Sequence, residues 1–135
     1  MSIRTVIVYD AGALIAAERG NRPMLALHTR MLQRRLRPVV PAPVLAQTWR
    51  GGPQANLSRV LSGCRIEEGF TENESRRIGG WLARSGTNDV VDAHVVAIAA
   101  RAPGSVIYTD DVDDLNWIAG VVDRPLEVLP VPKSL

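Results

Sequence analysis

Two apolar runs that each stop on an aspartate constrain this chain more than any other feature. Thr5-Val6-Ile7-Val8-Tyr9-Asp10 and Val106-Ile107-Tyr108-Thr109-Asp110-Asp111-Val112-Asp113-Asp114-Leu115 both read as a short buried strand delivering carboxylate to its own C-terminal end. In an open α/β sheet that edge is where ligands bind, because loops diverge there and helix N-termini converge on one crevice. A third acidic group lies in Asn88-Asp89-Val90-Val91-Asp92-Ala93-His94, where the i, i+3 spacing puts Asp89 and Asp92 on one face of a helix start. Seven of the eight aspartates fall in these three places. Charges needed only for solubility would be scattered over polar faces, so their concentration at element ends points to a shared site.

Between these landmarks the pattern alternates. A strand over residues 4–9 leads into a helix over 11–19, with Gly20 as its C-terminal stop. Residues 22–36 set Met24, Leu25, Leu27, Met31, Leu32 and Leu36 against Arg22, Arg30, Arg34 and Arg35, a helical period with one apolar and one arginine face. That arginine face reads either as a solvated surface or as one facing RNA or a partner. Pro38-Val39-Val40-Pro41 predicts a second buried strand, running into a helix that begins at Pro43 and stops at Gly51-Gly52. A helix over 54–62, a strand over 64–68 and a helix from Thr71 to about Arg84 follow, with Thr71-Glu72-Asn73-Glu74 resembling a capping box. The last elements are an apolar helix over 88–101, a strand over 106–109, a helix over 112–120 and a strand over 126–129. This order predicts an α/β fold with a mostly parallel sheet.

At 135 residues, residues 1–135 make a single domain. No stretch has the roughly 18 apolar residues needed to span a bilayer, and the first apolar run is interrupted by Asp10, so neither a membrane partner nor a signal peptide is expected and the chain is placed in the cytoplasm. A lone cysteine, Cys64, excludes an internal disulfide and a cysteine-built zinc site, and reads as a core residue. Net charge is only +2, so any nucleic-acid binding would rest on the arrangement of the fifteen arginines rather than on a global field.

Carboxylates gathered in one crevice repel each other, and a cation, a shared proton or an arginine must offset that repulsion. Oxygen-only ligands favour magnesium or manganese, which activate water and stabilise a leaving oxygen in phosphodiester cleavage. Each acidic segment alone also reads as helix capping, since aspartate favours N-caps and first turns. Capping does not explain why all three share one sheet edge. His94 lies beside an apolar face and is read as a hydrogen-bonded core or rim residue, outside the site.

The segments Val8-Tyr9-Asp10-Ala11-Gly12-Ala13-Leu14-Ile15-Ala16, Val44-Leu45-Ala46-Gln47-Thr48-Trp49-Arg50-Gly51-Gly52, Asp89-Val90-Val91-Asp92-Ala93 and Thr109-Asp110-Asp111-Val112-Asp113-Asp114-Leu115 resemble, in order and spacing, the successive motifs of PIN-domain proteins, especially VapC-type toxins. The resemblance runs from about residue 4 to 130. It implies a three-layer α/β/α sandwich, a magnesium- or manganese-dependent ribonuclease site acting on RNA, a homodimer, and a VapB-type antitoxin whose tail blocks the cleft. By the same resemblance Asp10, Asp92 and Asp111 are the catalytic and metal-holding acids, with Asp89, Asp114 and Thr109 as accessory residues. The family's second acid is usually a glutamate, and Gln47 stands in its place. Glutamine keeps the length and one acceptor oxygen but loses the charge. Glu18, at the end of the first helix, is a candidate to compensate for it.

Two other readings differ in class. One is a PIN-fold protein that binds RNA or an antitoxin with weak or lost nuclease activity because of Gln47. The other is a phosphohydrolase or phosphotransferase with Asp10 as aspartyl nucleophile, which would expect a further acid two residues on, where Gly12 stands.

Overall fold

The computed structural model describes residues 5–133. The start of the first expected strand, at residue 4, lies outside them. Within that span β1(Ile7–Tyr9) is followed by α1(Ala11–Glu18), α2(Arg22–Gln33), β2(Val39–Pro41), α3(Ala42–Thr48), α4(Ala55–Ser62) and β3(Arg65–Glu67). Then come α5(Glu72–Ser85), α6(Val90–Ala99), β4(Ser105–Thr109), α7(Val112–Ala119) and β5(Leu126–Pro130).

All five strands are parallel, in the order β3-β2-β1-β4-β5. The chain therefore moves outward from β1 to β2 and β3, then crosses back to lay β4 on the other side of β1. Right-handed crossovers in opposite directions put their helices on opposite faces. Accordingly α1 packs on α2, α3 and α4, while α5, α6 and α7 pack on each other, giving three layers. The strand order reverses at β1, so the crevice between the C-terminal ends of β1 and β4 is the topological switch point. Tyr9 and Tyr108 are register partners there, which sets Asp10 beside Thr109.

The expected apolar runs are the core. Val8, Tyr9, Val40 and Ile107 are fully buried, as are Leu14 and Met24 from the first helical layer. On the other face α6 is buried from Ala93 to Ala99, which explains why it lacks an amphipathic pattern: it lies under the centre of the sheet. Cys64 is buried and unpaired with another cysteine, and burial pushes its thiol up to about 12. The capping box at Thr71 is present, with Glu74 Oε1 accepting from the Thr71 N–H and Thr71 Oγ1 accepting from the Glu74 N–H. Glu74 also receives a two-pronged Arg101 guanidinium at 3.0 Å, which joins the start of α5 to the end of α6 and holds Glu74 below the usual carboxylate range.

Several element ends fall a residue or more inside the expected ranges, and the end of the second helix is the most informative. The second helix ends at Gln33 rather than running to residue 36. Arg35 adopts φ 58°, the Leu36 N–H donates to Met31 O, and the Arg35 N–H donates to Leu32 O. This is a Schellman ending with arginine where glycine is usual. Pro38 disfavours helical backbone at Arg37, so the helix could not have run past Leu36 in any case.

Candidate metal and phosphodiester site

The C-terminal edge of the sheet collects the acids from three elements. Asp10 follows β1 and precedes α1, Asp92 lies in the first turn of α6, and Asp111 follows β4 and precedes α7. Asp10 and Asp111 both occupy N-cap positions, yet neither carboxylate makes a capping hydrogen bond. Capping thus fails as an account of these two. It succeeds for Asp89, whose Oδ1 accepts from the Asp92 N–H at 3.0 Å.

The Asp10 carboxylate is spent on a tertiary contact instead. It is 6% exposed, and its Oδ2 accepts a 2.8 Å hydrogen bond from the Thr109 hydroxyl, 99 residues away in sequence. The same hydroxyl oxygen accepts from the Asp111 N–H at 2.9 Å. Thr109, fully buried at the end of β4, is therefore a hinge pin between the first acid and the last. Asp110 turns the other way, against α1. A Cβ at Gly12 would come within 2.4 Å of the Asp110 carboxyl group, so a larger residue there would force Asp110 to move.

The electrostatics show that the acids share a space. Burial raises the Asp10 carboxyl, hydrogen bonds from Ala11 and Thr109 partly offset this, and the charges of Asp110 and Asp111 raise it further. Asp92 is pushed up to about 7, first by burial, then by Asp89, Asp10 and Asp111. Asp114, fully at the surface, is raised by its hydrogen bond with Asp111 and by that group's charge. Asp10, Asp92 and Asp114 thus each respond to acids from another segment of the chain.

The donor set is oxygen only, which suits a hard divalent cation. Among the described residues no three ligating side chains close on a common point. Magnesium commonly takes one or two carboxylates and fills its remaining positions with water and phosphate oxygens, so the acids present fit such an ion without forming a closed cage.

Two cavities flank these acids. A groove of about 630 Å³ is lined by Gly12, Asp110, Asp111 and Asp113, by Ile15 and Val131, and by Arg19 and Lys133. Its lining carries both acidic and cationic side chains. A smaller recess of about 220 Å³ is lined by Thr87, Asp89, Asp92, Asp114, Trp117 and Ile118. Trp117 was not legible as a site residue from acid clustering. The signal available was its position off the Val112, Leu115 and Ile118 stripe of α7, on the polar face, three residues after Asp114.

Gln47 is exposed on α3 and lines neither cavity, and its backbone carbonyl accepts from the Arg50 guanidinium at 2.7 Å. Glu18 is engaged elsewhere: its Oε1 accepts from buried Gln54 at 2.8 Å, tying α1 to the start of α4. His94 is buried against the Phe70 ring at 4.8 Å between centroids, outside the acidic group.

No protein-family model matches the sequence, and no curated protein does. The fold is similar to the crystal structure of PAE2754 from Pyrobaculum aerophilum, with a TM-score of 0.55 and 17% identity over 91% of this chain and 89% of that one. At that identity the likeness establishes a shared fold.

Proposed function

We propose that this chain is a divalent-metal-dependent endoribonuclease, the toxin of a VapBC-type toxin–antitoxin pair. The observation that carries the reading is the Asp10–Thr109–Asp111 link at the topological switch point, with the Asp92 carboxyl pushed up to about 7, first by burial and then by the charges of Asp89, Asp10 and Asp111. Folding has buried Asp10 and set further anions around it, where uncompensated repulsion is unfavourable, and a cation relieves it.

Asp10, Asp92 and Asp111 would surround magnesium or manganese, one or two of them binding it directly and the rest through its waters, with Asp89 and Asp114 as outer acids. Such an ion, when bound, lowers the pKa of its water and neutralises charge on a phosphodiester oxygen. The chain's own residues do the rest. Thr109 keeps Asp10 and Asp111 in register, and Asp89 fixes the start of α6 and hence Asp92. Arg19 and Lys133, which line the large groove, suit the backbone of an RNA leaving the acids. The same groove suits the tail of a VapB-type antitoxin. The half-buried Leu25 and Met31 and the exposed Leu32 of α2 support a homodimer that brings two clefts together. No helix of the described residues is long and apolar enough to cross a membrane.

A second reading has one observation in its favour. Gln47 replaces the family's usual second acid and lines neither cavity, which fits a PIN-type protein that binds RNA or antitoxin with attenuated cleavage.

Cleavage of a single-stranded RNA with added manganese separates the two. The wild type and an Asp123→Asn control should cut, and Asp10→Asn and Asp111→Asn should lose nearly all activity. Equal rates in all four proteins, or no cleavage by any, would remove the nuclease reading.

A further inference from the structure

Trp117 is the most exposed large apolar side chain among the described residues, at 64%. Leaving an indole in water forgoes the free energy that its burial would contribute, so its position asks for an occupant. The ring is not loose. Its Nε1–H donates to the Ser85 carbonyl at the end of α5, which sets the orientation of the indole plane before any ligand arrives. Three residues earlier on the same helix, Asp114 shares its face.

The recess beside the ring carries a second signal. Thr87 lines it, and the Thr87 hydroxyl oxygen is buried with no hydrogen-bond partner. A buried polar atom left unmatched is unfavourable, and rotation of the Thr87 side chain toward the recess would let a ligand atom satisfy it. At about 220 Å³ the recess is below the size of pockets that enclose a whole drug-sized ligand, and suits a single ring. Around that ring stand an aromatic face, one hydroxyl able to donate or accept, and the acceptor oxygens of Asp89 and Asp114. A planar heterocycle with amino donors on its edge fits this set. An acidic or purely aliphatic ligand does not.

We propose that Trp117 is the stacking platform for one unpaired base of a single-stranded RNA, held next to the carboxylates that act on its backbone. The proposal rests on the ribonuclease reading for the role of those carboxylates, and on Trp117, Thr87 and the recess for the base. Stacking is tolerant of base identity, so this subsite selects unpaired over paired RNA, and the Thr87 and Asp89 edge adds a preference for amino-bearing bases.

The test is a titration of a fluorescein-labelled unstructured oligoribonucleotide with the protein in calcium buffer, affinity being read by anisotropy in every variant and tryptophan emission being followed in the parent. It is carried in a Trp49→Phe background because Trp49 is the other exposed tryptophan. Binding should quench Trp117 emission. Trp117→Ala should weaken affinity roughly ten- to hundredfold and Trp117→Phe by much less, as expected for loss of one base–aromatic stack. An oligomer with abasic positions should bind the parent protein no better than Trp117→Ala binds the intact one.

Equal affinity of Trp117→Ala and its parent overturns the proposal, as does failure of the parent to bind any oligomer. Dissociation of a dimer by Trp117→Ala in sedimentation, with emission indifferent to RNA, also overturns it and assigns the ring to a protein interface. Cleavage of the same oligomer in manganese is scored separately. Trp117-dependent binding without cleavage retains the platform and removes the nuclease reading, whereas cleavage with Trp117-independent affinity does the reverse.

Discussion

Thr109 does more for the acidic edge than any single carboxylate, because one hydroxyl serves two partners. Replacing it with valine keeps shape and burial but leaves the Asp10 Oδ2 and the Asp111 N–H without their bond. Loss of a buried partner of this kind costs about 1–3 kcal/mol. Thr109→Val should therefore lower stability by that amount in urea unfolding, and Thr109→Ser should restore most of it. Gln47 is the other informative residue. On the proposed nuclease reading Gln47 faces the cation from α3, so Gln47→Glu adds one anionic ligand and should tighten manganese binding roughly tenfold, a little over 1 kcal/mol, with cleavage rising in step. Unchanged affinity in calorimetry would set Gln47 outside the site. Glu18 is a poor substitute there because its carboxylate is committed to Gln54.

Among the elements, α2 shows where local preference yields to the next constraint. Its apolar and arginine faces continue in sequence to Leu36, but the helix closes at Gln33 with Arg35 in the left-handed region. Such a conformation costs an L-residue about 1–2 kcal/mol, and glycine avoids it while adding some disorder to the unfolded chain. Arg35→Gly should raise stability by about 0.5–1 kcal/mol, read as a higher urea midpoint with unchanged slope. The helix starts carry the opposite lesson. α1 and α7 both begin at an aspartate that a capping rule would assign to the helix, and both leave that carboxylate free for the sheet edge.

For the whole molecule, the crowded acids make stability and cation binding depend on pH in a defined sense. Asp92 is raised from its ordinary value near 3.8 to about 7, so the folded protein holds a proton that the unfolded chain has already lost in that interval. Its contribution to stability is therefore lost as pH rises from about 4 to about 7. A divalent ion needs the ionised form and offsets the repulsion that this form brings. Manganese should thus raise the melting temperature more at pH 8 than at pH 6, and release protons when it binds near pH 6. A melting shift independent of pH, or absent in the wild type, would mean that the acids do not act on one ion.

The sequence by itself determined what depends on near neighbours. Strand and helix order followed from hydrophobic period, the capping box at Thr71 from a four-residue pattern, and the gathering of acid at strand ends from two runs that stop on aspartate. A mostly parallel sheet was also legible from the alternation of strands and helices, and three layers from the family resemblance, while the structure makes the sheet parallel throughout. Only the tertiary structure decided which atoms meet. Four aspartates crowd residues 110–114, and nothing local says that Asp110 turns to Gly12 while the Asp111 N–H anchors on Thr109. The bond from Thr109 to Asp10 spans 99 residues and exists because β4 is laid beside β1 after a crossover. Trp117 likewise gains its meaning from α5, whose last carbonyl holds the ring over a recess built by α6 and α7. Periodicity reports which face of an element is apolar, whereas partners at a sheet edge are set by how separate elements stack, and that information lies in their packing.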